Sequence, residues 1–257
     1  MGFKSFNADE FKKHIDGLAM TRSIKLVQLH HTYSPSYKHF NGSNHETLQK
    51  NMKNYHVNTN GWSDLGQHFT IFPDGVIVTG RSMNSSPAGI KGANTGAVCI
   101  ECLGNFDKGG DEMTEAQKNA IVAAVRILAD RFKLDVSNDV IYHAWYSADG
   151  RDLGDYVKGH SAKTCPGTNF FGGNGLTAFR NNLQPLLENY GKEDKNMPEN
   201  KVYNYLDDTM PDWAKPTITK LVMRGWLKGD SDGKLNLSHD MLRILVINDR
   251  AGIYDKE

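Results

Sequence analysis

Three segments of the chain carry side chains that bind metal ions well. His30 and His31 end a segment rich in Ile, Leu and Val, His143 ends another, and Cys165 precedes a Pro-Gly pair. Zinc takes nitrogen and sulfur ligands, and a catalytic zinc keeps three protein ligands and one open position. A single histidine or cysteine is more often a surface hydrogen-bonding group or a small hydrophobe. The combination therefore predicts a catalytic zinc site of two imidazoles and one thiolate.

Glu101 is a second candidate for chemistry because it interrupts the apolar segment AVCIECL, residues 97–103. Alternation along a strand places Cys99 and Glu101 on one face, and Val98 and Ile100 on the other. A carboxylate buried without a partner is costly, so one interpretation is a solvated strand face. The other is a general base in a cleft beside the metal.

Strands that end at these residues must position them. Apolar alternation and turn residues predict strands, and apolar residues at helical spacing behind capping residues predict helices. The strands cover Ser23–His31, Gln67–Phe72, Val76–Thr79, Ala97–Leu103 and Val140–His143, and the helices cover about Glu46–His56 (capped by Ser43), Thr114–Phe132 and Thr177–Tyr190. Mixed strands and helices indicate an α/β fold.

A change of composition predicts two domains. The segment 191–201, GKEDKNMPENK, has almost no apolar residues and is typical of a linker. We therefore expect a catalytic domain over residues 1–190 and a small, mainly α-helical domain over residues 202–257. In the latter, we predict helices over Pro211–Arg224 and after Ser238.

Composition excludes several classes of function. Lys+Arg and Asp+Glu both number 30, so the formal net charge is zero. The chain therefore has no overall positive charge that would attract nucleic acid as its main partner. No apolar run is long enough to span a bilayer, and residues 1–11 carry no signal-peptide pattern. Three cysteines do not form a disulfide framework. The motif of zinc deaminases is absent from the sequence.

Several motifs occur in an order that resembles a known family. They are Leu29-His30-His31-Thr32, Gly61-Trp62-Ser63-Asp64-Leu65-Gly66-Gln67-His68-Phe69-Thr70-Ile71, Asp74-Gly75 and Lys163-Thr164-Cys165-Pro166-Gly167. Together they resemble the zinc-dependent N-acetylmuramoyl-L-alanine amidases of the type 2 group, which includes peptidoglycan recognition proteins and phage lysins. The resemblance covers roughly residues 20–185. It implies a central mixed β-sheet flanked by helices, and Zn²⁺ as cofactor.

The resemblance assigns roles to individual residues. His30 matches the first zinc ligand and Cys165 the third, and Lys163 matches a lysine beside the scissile carbonyl. Glu101 matches the glutamate that acts as base in one branch of the family. Relatives of the other branch carry a tyrosine where this chain has Gln67, which cannot titrate. This departure places proton transfer on Glu101.

The remaining assignments concern the second ligand and the substrate. His143 lies 22 residues before Cys165, farther than relatives usually place this ligand, and His160 lies five before it. We expect His143 to be the ligand because it ends a strand, with His160 as the alternative. His31 matches a non-ligand position, and we expect it to contact substrate together with Trp62 and Gln67. Trp145 is a further candidate for the glycan.

The predicted function is hydrolysis of the amide bond between N-acetylmuramic acid and L-alanine in bacterial peptidoglycan, with a Gram-positive wall as the expected substrate. We expect a phage or prophage endolysin, made in the host cytoplasm and released through a phage-encoded pore. The alternatives are a bacterial autolysin, a non-catalytic peptidoglycan receptor and a structural zinc site.

The C-terminal domain resembles a single S-layer-homology-like module that would bind the wall. The alternative there is a plain helical domain. Asp230-Ser231-Asp232-Gly233 resembles the start of a calcium loop but lacks the downstream glutamate.

Overall fold

The computed structural model describes residues 2–191 and 202–255. Contacts within the chain define two compact units, Met1–Gly191 and Lys192–Glu257. Apart from Gly191, the predicted linker lies outside the described residues. Across the two described ranges, no helix is long and apolar enough to cross a membrane.

The first unit contains a six-stranded sheet with helices on both faces. Its strands are β1 (Ser5–Phe6), β2 (Leu26–His31), β3 (Phe69–Ile71), β4 (Ile77–Thr79), β5 (Ala97–Cys102) and β6 (Val140–Tyr142), and its helices are α1 (Ala8–Asp16), α2 (His45–Asn58), α3 (Glu115–Phe132), α4 (Leu176–Ala178) and α5 (Gln184–Asn189). A π-helical turn, Phe179–Leu183, joins α4 to α5.

Strand pairing confirms the mixed sheet. The strand order is β1-β4-β3-β5-β2-β6, in which β3, β5, β2 and β6 are parallel and β4 pairs antiparallel with β1 and β3. Parallel strands place their carboxyl ends at the same edge of a sheet. The residues that end β2, β5 and β6 therefore meet at one edge.

Apolar packing holds the sheet between its helices. Val98 and Ile100 of β5 belong to the main core, which also contains Ile121, Val125 and Leu128 of α3. On the other face, a smaller cluster joins Leu48 of α2 to Phe72, Val78 and Leu103. Burying one such side chain contributes about 1.5–3 kcal/mol.

Several predicted boundaries were wrong. The capping box Ser43–Glu46 does not form, because the Ser43 hydroxyl donates to Asn41 Oδ1 and α2 starts after Asn44. Thr114 caps α3 as predicted, by accepting from the Gln117 N–H. The predicted strand Val140–His143 stops at Tyr142, since His143 begins a short 3₁₀ turn.

The second unit is a small helical unit with its own core. Its helices are α6 (Lys215–Met223) and α7 (His239–Arg250), and β7 (Val202–Tyr203) and β8 (Leu237–Ser238) form an antiparallel ribbon that we did not predict. Ser238 caps α7 as predicted. Its core contains Tyr203, Met210, Ala214, Ile218, Leu237, Leu242 and Val246.

Candidate metal centre and groove

The two predicted histidine ligands and the cysteine lie together at the carboxyl edge of the sheet. The ligand atoms of His30, His143 and Cys165 all lie within 4.8 Å of one another. Among residues 2–191 and 202–255, no other group of three histidine, cysteine or carboxylate side chains is close enough together to hold a metal ion. His160, the alternative ligand, is exposed on the loop before Cys165 and does not belong to the group.

Each member of the cluster is held by a different element. His30 is the fifth residue of β2 and 3% exposed, whereas His143 follows β6, which pairs with β2. The rings of His30 and His143 meet edge-to-face, with centroids 5.1 Å apart. The Cys165 carbonyl accepts a hydrogen bond from the Ala144 N–H, at 2.7 Å. This bond ties the Cys165 loop to the turn that carries His143.

The loop before and after Cys165 is fixed by a residue that we did not identify from the sequence. Asp107 Oδ2 accepts from the Thr164 hydroxyl at 3.1 Å, and Asp107 Oδ1 accepts from the Thr168 N–H at 3.0 Å. Gly167 has φ +121°, and a Cβ there would lie 2.4 Å from the Phe106 carbonyl oxygen. The glycine of the Cys-Pro-Gly motif therefore allows the loop to pack against the residue before Asp107.

Zinc fits this donor set. Two ligand atoms of a tetrahedral zinc lie about 3.3–3.8 Å apart, and His30 Nδ1 already lies 3.4 Å from Cys165 Sγ. Burial lowers the pKa of His143 to about 4 and that of His30 well below its usual value, so both rings are neutral at pH 7 and can ligate. In the metal-free protein, burial and then Glu101 raise the pKa of the Cys165 thiol.

Glu101 lies beside His30 because of the strand register. The two residues are direct partners in the parallel β2–β5 pair. Glu101 Oε2 is buried and has no hydrogen-bond partner among the described residues. Burial raises the pKa of Glu101 to about 8, although the Lys163 ammonium opposes this shift. The residue is half-buried at the groove and β5 lies inside the sheet, between β3 and β2, so Glu101 does not lie on a solvated strand face.

The cluster opens into a groove of about 990 Å³ that also contains the other predicted residues. Lys163 is exposed at its edge, and Trp62, 36% exposed, packs against His56 with ring centroids 4.8 Å apart. Gln67 is 1% exposed, and its amide nitrogen donates to the Thr70 hydroxyl at 3.0 Å.

His31 and Trp145, both considered for substrate binding, differ from each other in their surroundings. His31 Nδ1 accepts from the Phe106 N–H at 3.1 Å, and burial lowers the pKa of His31 to about 4. Trp145, which we considered for the glycan, is 5% exposed and donates its indole N–H to the Asn174 carbonyl. His31 therefore lines the groove, whereas Trp145 is a core residue.

The chain is similar to several proteins of known family. Peptidoglycan-recognition protein SC2 of Drosophila simulans is 32% identical over 125 residues, which are 49% of this chain and 59% of the relative. Human N-acetylmuramoyl-L-alanine amidase is 30% identical over 83 residues, which are 32% of this chain and 14% of the relative. This chain thus covers less than two thirds of the length of each of these two relatives. The solved N-acetylmuramoyl-L-alanine amidase LysC of Clostridium intestinale is 26% identical, with a TM-score of 0.43, over 58% of this chain and 80% of that one.

A family model described as N-acetylmuramoyl-L-alanine amidase matches residues 20–168, more than half of the chain. The matched segment contains the strand ends and loops that carry His30, Glu101, His143 and Cys165. The chain belongs to the Amidase_2 family of N-acetylmuramoyl-L-alanine amidases.

Proposed function

We propose that the chain is a zinc-dependent hydrolase that cleaves the amide bond between N-acetylmuramic acid and L-alanine in peptidoglycan. The observation that carries this proposal is the meeting of His30, His143 and Cys165 beside Glu101 at the floor of one groove. A structural zinc usually has four protein ligands. Three ligands at the floor of an open groove favour a catalytic site.

The chain's own residues can supply the proton transfers. When bound, zinc supplies Lewis-acid polarisation of the scissile carbonyl and acidifies a water nucleophile. Glu101 accepts the proton of the attacking water and returns it to the leaving nitrogen of L-alanine. Glu101 is placed for both steps because it lies opposite His30 in the sheet and its buried Oε2 has no hydrogen-bond partner among the described residues.

Lys163 and the groove walls complete the proposed site. The Lys163 ammonium stabilises the negative charge that develops on the carbonyl oxygen, an effect typically of a few kcal/mol. Tyr55, Trp62 and Asn51 line the groove and offer aromatic faces and amide groups. Such surfaces suit a glycan with a peptide attached, which is both polar and extended.

Removal of the thiol ligand tests this proposal. Cys165→Ala is expected to lose zinc and hydrolysis together, since two imidazoles alone hold the metal weakly. Cys102→Ala is the matched control, because Cys102 is also a buried free thiol but belongs to the main core. Zinc content is measured by mass spectrometry of the metal, and hydrolysis by new amino-terminal L-alanine in digested walls. Full zinc occupancy in Cys165→Ala would contradict the assignment.

The same assay separates the enzyme from a non-catalytic receptor. A receptor would bind walls and zinc but release no new L-alanine termini. The combination of Cys165, Lys163 and Glu101 in one groove favours the enzyme. Wild-type protein that carries zinc and binds walls without releasing these termini would establish the receptor instead.

We propose that residues 1–190 form the catalytic domain and that the C-terminal domain, residues 202–257, binds the wall as an S-layer-homology-like module. The second unit has its own apolar core and exposes aromatic side chains, among them Tyr205 and Trp226. A chain that ends at Gly191 is expected to cut soluble muropeptides at the wild-type rate but to bind intact walls less well, because a tethered second site raises effective concentration. Equal wall binding by both chains would refute the targeting role.

We also propose that the protein is an endolysin, made in a bacterial cytoplasm and released to a Gram-positive wall through a phage-encoded pore. Phage lysins are one of the classes of protein in the group that its motifs resemble. Expression in a Gram-positive host is expected to cause lysis only when a membrane pore is formed at the same time, as followed by optical density. Lysis without the pore would favour an autolysin exported by another route.

A further inference from the structure

Gln28 is a buried polar residue directly behind the candidate metal centre. It lies on β2 two residues before His30, so both side chains lie on the same face of the sheet. Gln28 is 0% exposed. Its amide nitrogen donates to the Ala93 carbonyl at 2.9 Å, and its Oε1 lies 3.4 Å from His30 Nε2. One side chain thus joins a loop carbonyl to the outer nitrogen of a candidate ligand.

Chemistry fixes the orientation of this amide. A backbone carbonyl can only accept a hydrogen bond, so the nitrogen of Gln28 must face Ala93. Oε1 then faces His30 and can only accept, which requires that His30 carry its proton on Nε2. The other ring nitrogen, Nδ1, presents its lone pair to Cys165 Sγ, 3.4 Å away. The interaction therefore selects one of the two neutral tautomers of His30.

The neighbouring loop is shaped to hold this amide. A Cβ at Gly89 would lie 2.2 Å from Gln28 Oε1 and 3.1 Å from His30 Nε2, so only glycine leaves room for the pair. Asn94 Oδ1 accepts from the N–H groups of Gly89 and Ile90, at 3.0 Å each. These bonds fix the turn that brings Ala93 to Gln28.

We propose that Gln28 is a positioning residue that holds His30 as the Nε2–H tautomer and so keeps Nδ1 free to bind zinc. This inference rests on the zinc site of the proposed function. Groups that accept the outer N–H of a ligand histidine fix its ring orientation and raise its basicity. Loss of such a group typically weakens metal binding by about 10–100-fold.

Gln28→Leu removes the acceptor at similar side-chain size. Gln49→Leu is the matched control, because Gln49 is also 0% exposed and its amide also donates to a backbone carbonyl, that of Thr79, but it is neither a candidate ligand nor part of the groove lining. Zinc affinity is measured by competition with a chromophoric chelator. Gln28→Leu is expected to bind zinc 10–100-fold more weakly than wild type, and Gln49→Leu with wild-type affinity. Gln28→Glu keeps an acceptor for Nε2–H but loses the donor to the Ala93 carbonyl, so it is expected to recover only part of the loss.

Tautomers are read directly from the ring nitrogen chemical shifts of ¹⁵N-histidine protein without metal. Wild type is expected to show His30 as Nε2–H, whereas Gln28→Leu is expected to show a mixture. An Nδ1–H tautomer in the wild type would overturn the inference even if Gln28→Leu fails to fold. Wild-type zinc affinity in Gln28→Leu would overturn it while leaving the zinc site intact. Wild-type protein that binds no zinc would overturn both.

Discussion

Replacement of Glu101 by glutamine is expected to stabilise the metal-free protein although it removes the proposed proton acceptor. Glu101 is half-buried at the floor of the groove, and its Oε2 has no hydrogen-bond partner among the residues that the structure describes. Glutamine has almost the same shape and is neutral at every pH. The substitution therefore removes the cost of placing an ionisable carboxyl group in this position and leaves the packing unchanged.

The size of the effect follows from the pKa of Glu101, which burial raises from 4.5 to about 8. Between these values the unfolded chain has lost its proton while the folded chain keeps it, so stability falls as the pH rises. The penalty is absent below pH 4.5 and complete near pH 8. At pH 7 it reaches about 3 kcal/mol as an upper bound. Because solvent in the groove screens part of it, we expect a gain of about 1–3 kcal/mol.

The gain is measured by denaturant unfolding of both proteins in the presence of a chelator. Glu101→Gln is expected to be more stable at pH 7 and equal to wild type near pH 4, while the zinc-loaded variant keeps its metal and loses most of its turnover. Glu112→Gln, a change near the surface where the side chain contacts Asn169, is the control and should alter neither quantity. A variant that is no more stable at pH 7, or that is stabilised equally at both pH values, would refute the reasoning.

Two further predictions concern histidines. His143→Ala is expected to lose zinc and His160→Ala to keep it, as measured by metal content, because only His143 has a donor atom within the cluster; the reverse result would move the second ligand to His160. Burial lowers the pKa of His68 from 6.5 to about 4 in the folded protein, where its Nδ1 accepts a hydrogen bond from the Cys99 N–H. As the pH falls, His68 therefore becomes protonated in the unfolded chain before it does in the folded protein. His68 should therefore lower the free energy of unfolding by about 2 kcal/mol between pH 7 and pH 5, and His68→Asn should show a smaller loss over that interval in denaturant titrations; an equal loss would exclude His68 as the cause.

The strands β2, β5 and β6 were predictable from short apolar segments, and the cluster from metal-binding residue types at strand and loop ends together with the family resemblance. Parallel strands place their ends at one edge of a sheet. His30 and His143 had to meet there once these strands were adjacent. The adjacency itself was not predicted, since nothing in the sequence shows that β2 lies between β5 and β6.

Two kinds of element with a weak local sequence pattern escaped prediction. Helix α1 was missed although Asn7 and Glu10 form a capping box. Its two buried residues, Phe11 and Ile15, lie among charged side chains, so the apolar pattern is too sparse to identify a helix. The ribbon of β7 and β8 has two residues in each strand, which is too short to show alternation. In both cases, tertiary packing rather than local pattern decides the structure.

The sequence identifies polar residues within apolar strands, but only the structure shows how these residues are arranged relative to one another. Glu101 and Gln28 are both polar residues within apolar strands, and in isolation each could lie on a solvated face. The register of β2 against β5 places them on the same face, with His30 directly opposite Glu101 and beside Gln28. Gln28 has both ends of its amide bonded, whereas Glu101 Oε2 has no hydrogen-bond partner among the described residues. A satisfied polar group adds order to a site, and an unsatisfied one costs stability. The proposed proton transfer would account for a carboxylate in this costly position, and we therefore expect glutamine at position 101 to yield a more stable and inactive protein.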